Sequence, residues 1–212
     1  MLKLFKRKKE QPISKILFNN FGWHLQDNKP TFESWVNDDD SSFVSVEYFD
    51  TLFFNGKPKI DLVINKIRNK VVQDFEGGII ECEAVQLKKY KVIQIITKEP
   101  QKPSGMSYIG RLIIPTFRGH YMIMIKLFEI GTTGMREAAI FPLWMKENPD
   151  FKSDENGKII DWLKDPFDPE FRAGALMNYS EQEVFDKDFP EHPLSDLRQK
   201  LILIQNSLEI TI

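Results

Sequence analysis

Two long apolar runs between Met106 and Ile130 dominate the hydrophobic pattern of the chain. They flank residues 116–120, where Gly119 can adopt the positive φ that a tight reversal requires. In the second run, both sets of alternating side chains are largely apolar, which predicts a strand that is covered on both faces. The pattern therefore predicts the central hairpin of an antiparallel sheet.

Shorter apolar runs predict further strands on the N-terminal side of this hairpin. They are rich in aromatic and β-branched residues and are separated by turn-forming residues. The predicted strands cover residues 21–25, 31–36, 42–49, 78–87 and 90–99. The turn between the second and third of these contains Asp38, Asp39 and Asp40, but it lacks the ligand spacing and central glycine of a helix-hand calcium loop. A solvated hairpin turn is the better interpretation.

One amphipathic helix is predicted over residues 58–76, between two of these strands. Pro58 is expected to be its first helical residue, and Gly77-Gly78 is expected to end it in the left-handed conformation. Its apolar positions recur at helical spacing for more than four turns, whereas Arg68 and other polar residues fill the opposite side. The apolar positions are Ile60, Val63, Ile64, Ile67, Val71 and Phe75.

The C-terminal part of the chain changes character at residue 148. Residues 135–148 have a helical pattern that Pro142 is expected to break or kink. Residues 148–172 are rich in Pro, Asp and Gly, which predicts an irregular strap over the domain. Ser180 and Glu183 have the spacing of a capping box for a short helix. Pro193 is expected to open the final helix, whose apolar stripe consists of Leu194, Leu197, Leu201, Ile204 and Leu208.

These elements predict an α+β protein, a twisted antiparallel sheet flanked by helices, with a C-terminal helical segment. Residues 13–212 are expected to form one domain, with the sheet core in 20–147 and the strap and C-terminal helices in 148–212. Residues 1–12 form a basic tail that contains Leu2, Leu4 and Phe5 among its lysines. That tail has two interpretations, a solvated end or an interfacial membrane anchor.

Composition excludes several classes of function. The 29 basic and 31 acidic residues give a net charge of −2, which provides no general field for nucleic acid. No apolar run reaches the roughly 18–20 residues of a membrane span, so stable membrane insertion is not expected. Cys82 is the only cysteine, so an internal disulfide is impossible and a reducing compartment is indicated. The expected location is the cytoplasm.

The sequence contains no recognisable catalytic constellation. His24, His120 and His192 are far apart and lack metal-ligand spacing, so neither a metal nor a cofactor is predicted. Cys82 has two interpretations, a nucleophile or a buried structural thiol, and its apolar strand face favours the second. Acidic residues near aromatic residues leave a small carboxylate-dependent hydrolase open as an alternative. These residues are Asp165, Asp168, Glu170 and Asp188.

Two resemblances extend this interpretation. The order of elements over residues 20–147 resembles the Mog1/PsbP-like fold, which implies a twisted antiparallel sheet flanked by helices. A local run resembles the C-terminal signature of bacterial proteins encoded beside polymorphic toxins and secretion systems. The run contains Phe185, Asp186, Phe189, Pro190, His192, Pro193, Leu194, Ser195 and Arg198. A structural role is predicted for it, in which Arg198 binds an acidic residue of the preceding helix and the two phenylalanines pack beneath the final helix.

The predicted function is that of a cytoplasmic bacterial protein-interaction module. The resemblance of the run from Phe185 to Arg198 implies an immunity protein or a chaperone for a secreted toxin or effector. Such a protein acts by occluding a surface of its partner. Trp162, Phe167 and Phe171 are candidate partner-binding residues of the strap, because aromatic residues are favoured interface anchors. The alternative for these residues is docking within the chain. Asp38, Asp39 and Asp40 form a second candidate surface, and the hydrolase remains the competing function, with its carboxylates in residues 148–172.

Overall fold

The computed structural model describes residues 13–53 and 59–211 and has an α+β architecture. The basic tail 1–12 and Pro58 lie outside the described residues. Within the described ranges, three α-helices are present, which are α1 (Ile60–Phe75), α2 (Met135–Glu147) and α3 (Pro193–Ser207). The strands are β1 (Ile16–Leu17), β2 (His24–Lys29), β3 (Phe32–Val36), β4 (Phe43–Phe49), β5 (Gly78–Leu87), β6 (Tyr90–Pro100), β7 (Met106–Pro115), β8 (His120–Phe128), β9 (Leu163–Lys164), β10 (Met177–Asn178) and β11 (Glu209–Ile210).

The main sheet has seven antiparallel strands in the order β2-β3-β4-β8-β7-β6-β5. The β7–β8 hairpin lies in its middle, as predicted from the apolar pattern. One alternating set of β8 side chains is fully buried, namely Tyr121, Ile123, Ile125 and Leu127. The short strands form two separate pairs, β1 with β11 and β9 with β10. The predicted α+β class with an antiparallel sheet is therefore confirmed.

The hairpin turn differs from the prediction in its use of Gly119. Its φ is not positive, so no left-handed conformation is required there. A Cβ at this position would instead lie 2.0 Å from the carbonyl oxygen of Phe49 at the end of β4. The glycine is required by close packing of the turn against the neighbouring strand.

Helix α1 packs on β5 and β6 through Val63 and Ile64, and Val71 on the same helix is also buried. Two predictions about it are wrong. Arg68 was assigned to the polar side but is buried, because it forms an ion pair with Asp165 of the strap. The left-handed residue at the end of α1 is Glu76, with φ 53°, rather than a glycine.

The glycine pair after α1 has a different purpose. A Cβ at Gly77 would lie 2.4 Å from the Lys98 carbonyl oxygen, and one at Gly78 would lie 1.8 Å from that of Ala175. The Ala175 amide also donates to the carbonyl oxygens of Glu76 and Gly77 at 3.0 and 3.1 Å. Gly77 therefore lets β6 approach closely, and Gly78 lets the chain around residue 175 pack directly against the start of β5.

Helix α3 covers β7 and β8. Pro193 is its first residue, and His192 caps it by accepting a hydrogen bond at Nδ1 from the Leu194 amide at 3.2 Å. All five residues of the predicted apolar stripe are buried. A Cβ at Gly110 in β7 would lie 2.9 Å from Leu201 Cδ1, so that glycine lets the helix approach the sheet closely. The prediction for the final helix is confirmed.

Helix α2 and the strap form a smaller third layer. The helix continues through Pro142, so the predicted break does not occur. The strap is largely irregular apart from β9. The capping box belongs to Asn178 and Glu181, at the 3-10 helix Tyr179–Glu181, rather than to Ser180 and Glu183. Among the described residues, no helix combines the length and apolar character needed to cross a bilayer.

Candidate functional site

A buried polar network joins α2, α3 and the two 3-10 helices at 179–185, and the residues of the C-terminal run form its centre. Oδ1 of Asp186 accepts hydrogen bonds from Ser195 Oγ at 3.0 Å and Arg198 Nη1 at 2.8 Å. The same oxygen lies 2.9 Å from Nη2 of Arg136 in α2. The carboxylate thus receives three donors from two helices.

Arg136 is 1% exposed and bonds to three further groups. Its Nε donates to the Ser180 carbonyl at 2.6 Å, Nη1 donates to Ser195 Oγ at 2.8 Å, and Nη2 donates to the Gln182 carbonyl at 2.9 Å. Burial lowers the pKa of its guanidinium, and the charge of Asp186 opposes that shift. Arg136 therefore fastens α2 to the 3-10 segment and to α3.

Arg198 extends the network to the sheet. Its Nε donates to Glu81 Oε1 in β5 at 2.6 Å, and its Nη2 donates to the Glu181 carbonyl at 2.8 Å. Burial raises the pKa of Glu81, while the charge of Arg198 acts in the opposite direction. The predicted pairing of Arg198 with an acidic residue of the preceding helix is confirmed by Asp186, which directly follows the 3-10 helix Glu183–Phe185. Phe185 and Phe189 differ from the prediction, because they pack in the cluster of Trp144 and Trp162.

A second set of buried polar groups lies beside the first. Glu181 Oε2 accepts hydrogen bonds from Lys98 Nζ and from the Asn178 amide, both at 2.7 Å. Its other oxygen accepts from the Tyr108 hydroxyl at 3.0 Å. Burial, followed by the charges of Glu181 and Glu129, holds the pKa of Tyr108 well above its ordinary value. Tyr108 therefore stays protonated and acts as a hydrogen-bond donor.

His192 links α3 to Glu129, directly after β8. Because Nδ1 accepts the Leu194 amide, the ring proton is assigned to Nε2, which lies 3.4 Å from Glu129 Oε1. Glu129 also accepts from the amides of Gly134 at 3.1 Å and Met106 at 2.8 Å. Burial raises the pKa of Glu129, but these hydrogen bonds outweigh it and leave the pKa below its ordinary value.

A cavity of about 230 Å³ lies beside these groups, and Arg136, Glu181 and Glu129 are among the residues that line it. It is bounded by the ends of β6 and β7, the first turn of α2 and residues 174–181. Every carboxylate oxygen of Glu181 and Glu129 that faces this region already has a donor. A general base needs a free acceptor, so Glu181 and Glu129 have the character of a structural network beside a ligand-sized space. A third lining carboxylate, Glu137 in the first turn of α2, is exposed to solvent.

The strap aromatics are not equivalent in the structure. Trp162 is 3% exposed and packs against Phe141, Trp144 and Tyr179, so its indole docks within the chain and is not an exposed anchor. Phe171 is half-buried under the guanidinium of Arg68, 4.9 Å from the ring centre. Phe167 is 39% exposed and retains an accessible face.

The acidic turn lies at the other side of the sheet. Asp38, Asp39 and Asp40 are exposed in the β3–β4 connection, where Asp39 accepts a hydrogen bond from the Ser41 amide at 3.0 Å. Hydrogen bonds from the Ser41 hydroxyl and then from the Ser41 amide outweigh slight desolvation and lower the pKa of Asp39. Strand β3 is next to the β2 edge, whereas the chain after the strap packs on β5 at the opposite edge. The structure therefore does not bring the two candidate surfaces together.

Two of the four carboxylates of the hydrolase alternative hold the strap in place. Arg68 donates two hydrogen bonds to Asp165, from Nε to Oδ2 at 2.8 Å and from Nη2 to Oδ1 at 2.7 Å. Asp168 lies 3.6 Å from Arg68 Nη1, while Glu170 and Asp188 are exposed. A carboxylate held in a bidentate ion pair is poorly placed for proton transfer. No cluster of His, Cys, Asp or Glu that could hold a metal ion occurs in residues 13–53 and 59–211.

We expect Cys82 to be chemically inert. It is buried against α1, and burial, reinforced by the charge of Glu83, raises the pKa of its thiol to about 11. Because only the thiolate reacts, labelling with a disulfide reagent at pH 8 should be far slower than for a free cysteine peptide. Cys82→Ala should lose some stability and keep partner binding. Fast labelling of the folded protein, or loss of binding in a folded Cys82→Ala variant, would contradict the structural assignment.

The fold and the network define an α+β protein with an open seven-stranded antiparallel sheet. No family model and no curated protein matches the sequence. A solved structure from Bacteroides thetaiotaomicron VPI-5482 is similar, with a TM-score of 0.38 and 11% identity, over 58% of this chain and 42% of that one. A second, from Pseudomonas aeruginosa, is described as a protein of unknown function and putative regulator. It has a TM-score of 0.34 and 10% identity over 66% of this chain and 81% of that one. Likeness at this level carries no argument about function.

Proposed function

We propose that the protein functions by binding a protein partner through the outer face of α2 and the groove beside it. The observation that carries this proposal is an exposed apolar stripe on that helix. Its members are Met135, Ala138, Ala139, Pro142 and Leu143, which follow i, i+3, i+4, i+7, i+8 spacing and are all exposed. The face that packs on the protein is a different one and contains Arg136, Ile140 and Trp144.

An apolar stripe on the solvent side of a helix is unusual for a protein that acts alone. Surface helices normally carry charged or polar residues there, and exposed apolar patches mark interaction sites. Leu143 is 60% exposed and Met135 is 59% exposed, so both can bury further area in a complex. Neither residue contributes to the buried clusters of the protein.

The groove at the C-terminal end of α2 supports a partner that is partly apolar and basic. It has a volume of about 440 Å³ and an apolar wall that contains Trp144 and Phe151. Its rim carries Glu147, Asp150 and Asp161 against one lysine, Lys152. Charge complementarity favours a partner whose apolar side chains are flanked by Lys or Arg.

The finer proposal is a bacterial cytoplasmic immunity protein or effector chaperone. It rests on the resemblance of the 185–198 run to proteins encoded beside polymorphic toxins. The buried network includes Asp186, Ser195 and Arg198 of that run. These contacts are consistent with a structural role for the run. Partner binding would then use a different surface. Occlusion of a basic, partly apolar surface on a toxin would require no catalytic group.

The test compares two leucines of matched exposure. Leu143 in α2 is 60% exposed and Leu62 in α1 is 61% exposed. We expect Leu143→Glu to weaken binding of the products of neighbouring toxin genes by about tenfold or more, which corresponds to roughly 1.4 kcal/mol. Leu62→Glu should bind like the wild type, and both should keep its melting temperature, because exposed substitutions cost little stability.

Binding is measured by quantitative co-purification from the bacterial host, followed by affinity measurement with the purified partner. Equal binding by the two variants, or equal loss in both, would contradict the assignment of α2. A wild-type homodimer that Leu143→Glu dissociates would show that a second copy of the chain covers the stripe, and would also overturn the proposal.

A further inference from the structure

We infer that the cavity between β6, β7 and the first turn of α2 binds a small organic acid, with its carboxylate against the Lys98 ammonium. This inference is independent of the partner-binding surface on the outer face of α2. The argument depends on which hydrogen-bonding groups around the cavity are already satisfied. Apart from the exposed carboxylate of Glu137, the unsatisfied groups of the lining are donors.

Lys98 provides the first unsatisfied donors. Lys98 is 2% exposed, and its Nζ donates a hydrogen bond to Glu181 Oε2 at 2.7 Å. Among the described residues, that carboxylate is its one acceptor, although an ammonium carries three hydrogens. Two N–H groups of a buried ammonium beside the cavity therefore lack protein acceptors. Buried charged groups are normally bonded to the full extent that geometry allows.

Of the three acids that line the cavity, Glu137 is exposed to solvent, and the other two, Glu181 and Glu129, offer no free acceptors to match these donors. Both oxygens of Glu181 are bonded, to Lys98, the Asn178 amide and Tyr108. Both oxygens of Glu129 are bonded as well, to backbone amides and to the ring of His192. A ligand that supplies acceptors is complementary to this lining, whereas a cationic ligand or an amine would meet further donors.

Lys158 adds a second cation at the cavity. Its Nζ donates to the carbonyl oxygens of Arg172 at 2.7 Å and Gly174 at 3.3 Å, which leaves one hydrogen available. The lining carries three cations, Lys98, Lys158 and Arg136, and three carboxylates, Glu181, Glu129 and the exposed Glu137, so its formal charges balance. A monoanion disturbs this balance less than a dianion such as phosphate does.

The remaining lining and the volume describe the rest of the ligand. Met106, Leu163 and Leu176 give the cavity apolar walls. Its volume of about 230 Å³ exceeds the roughly 150 Å³ apolar cavity that admits benzene. A carboxylate with a ring or short branched chain fits both the size and the polarity of the site.

The experiment titrates the wild-type protein with benzoate and phenylacetate, and with benzamide and inorganic phosphate as controls. The readouts are the methyl signal of Met106, assigned with Met106→Leu, and the ring signals of His192 in NMR spectra. We expect saturable shifts of both for at least one of the two acids, with millimolar or tighter affinity. Benzamide and phosphate should bind at least tenfold more weakly.

A variant pair assigns the binding to Lys98. Lys98→Met with Glu181→Gln removes the ammonium without leaving an unpaired buried carboxylate, and it should weaken binding of the acid roughly 10- to 100-fold, as expected for loss of charged hydrogen bonds. The matched control is Lys126→Met with Glu99→Gln, which removes the lysine–carboxylate pair at 2.9 Å outside the cavity. That control should bind the acid like the wild type.

Three results would overturn the inference. Absence of any saturable shift with both acids would show that water alone fills the cavity. Equal affinity for benzamide or phosphate would show that the carboxylate is not what is recognised. Unchanged affinity in a folded Lys98→Met, Glu181→Gln variant would place the acid elsewhere. None of these results bears on the Leu143 and Leu62 comparison, so the two proposals fail separately.

Discussion

Trp162→Ala is expected to lower the free energy of unfolding by about 3–5 kcal/mol, the usual cost of truncating a buried tryptophan. The indole is 3% exposed and contacts Phe141 of α2, Trp144 of α2 and Tyr179 of the 3-10 segment. Its removal leaves a cavity at the point where three segments meet. Chemical denaturation with two probes, circular dichroism and tryptophan fluorescence, measures the loss.

Phe167→Ala is the control from the same strap. Its ring is 39% exposed, so the substitution should change the free energy of unfolding by no more than about 1 kcal/mol. A Trp162→Ala variant that retains full stability and loses partner binding would reverse the assignment. It would make the strap the recognition surface, in place of the outer face of α2.

Arg136→Met is expected to destabilise the protein by about 3–5 kcal/mol, because it leaves buried partners without their donors. The guanidinium bonds to the Ser180 and Gln182 carbonyls, to Ser195 Oγ and to Asp186. Asp186 keeps the hydrogen bond from Arg198, which limits the loss at the carboxylate. The two carbonyls would lose a charged donor, and only water from the neighbouring cavity could replace it.

Arg118→Met serves as the comparison for this substitution. Arg118 lies exposed in the β7–β8 turn, so its loss should change stability by no more than roughly 0.5 kcal/mol. Urea denaturation of both variants at pH 7 separates the two effects. If the Arg136→Met variant unfolded at the same urea concentration as Arg118→Met, the network would not be what joins α2 to α3.

The regular elements could be predicted because their side-chain periods are simple. The stripe of α3 and the alternating residues of β8 bury as their spacing indicates. Arg68 was misassigned because its position on α1 is polar by type, and only the distant Asp165 makes its burial favourable. Gly77 and Gly78 have the composition of a helix end, but their close neighbours, Lys98 and Ala175, are set by tertiary packing.

The polar network could be predicted only in part. The run from Phe185 to Arg198 indicated a structural unit, and the pairing of Arg198 with Asp186 followed from it. Arg136 carries one signal in the sequence, because it is spaced by four from Ile140 and by eight from Trp144 on the buried face of α2. Lys98 and Tyr108 carry no such signal. Strands β6 and β7 are buried on both faces, so the alternation of side chains along them does not distinguish buried from exposed positions.

The central claim is that the outer face of α2 is the surface that meets a protein partner. Site-specific photo-cross-linking in the native host tests it most directly, with the photoreactive residue at Ala139 on α2 or at Asn69 on the exposed side of α1. We predict one defined adduct with a basic partner protein from position 139 and none from position 69. An adduct from position 69 alone, or equal labelling from both positions, would contradict the account.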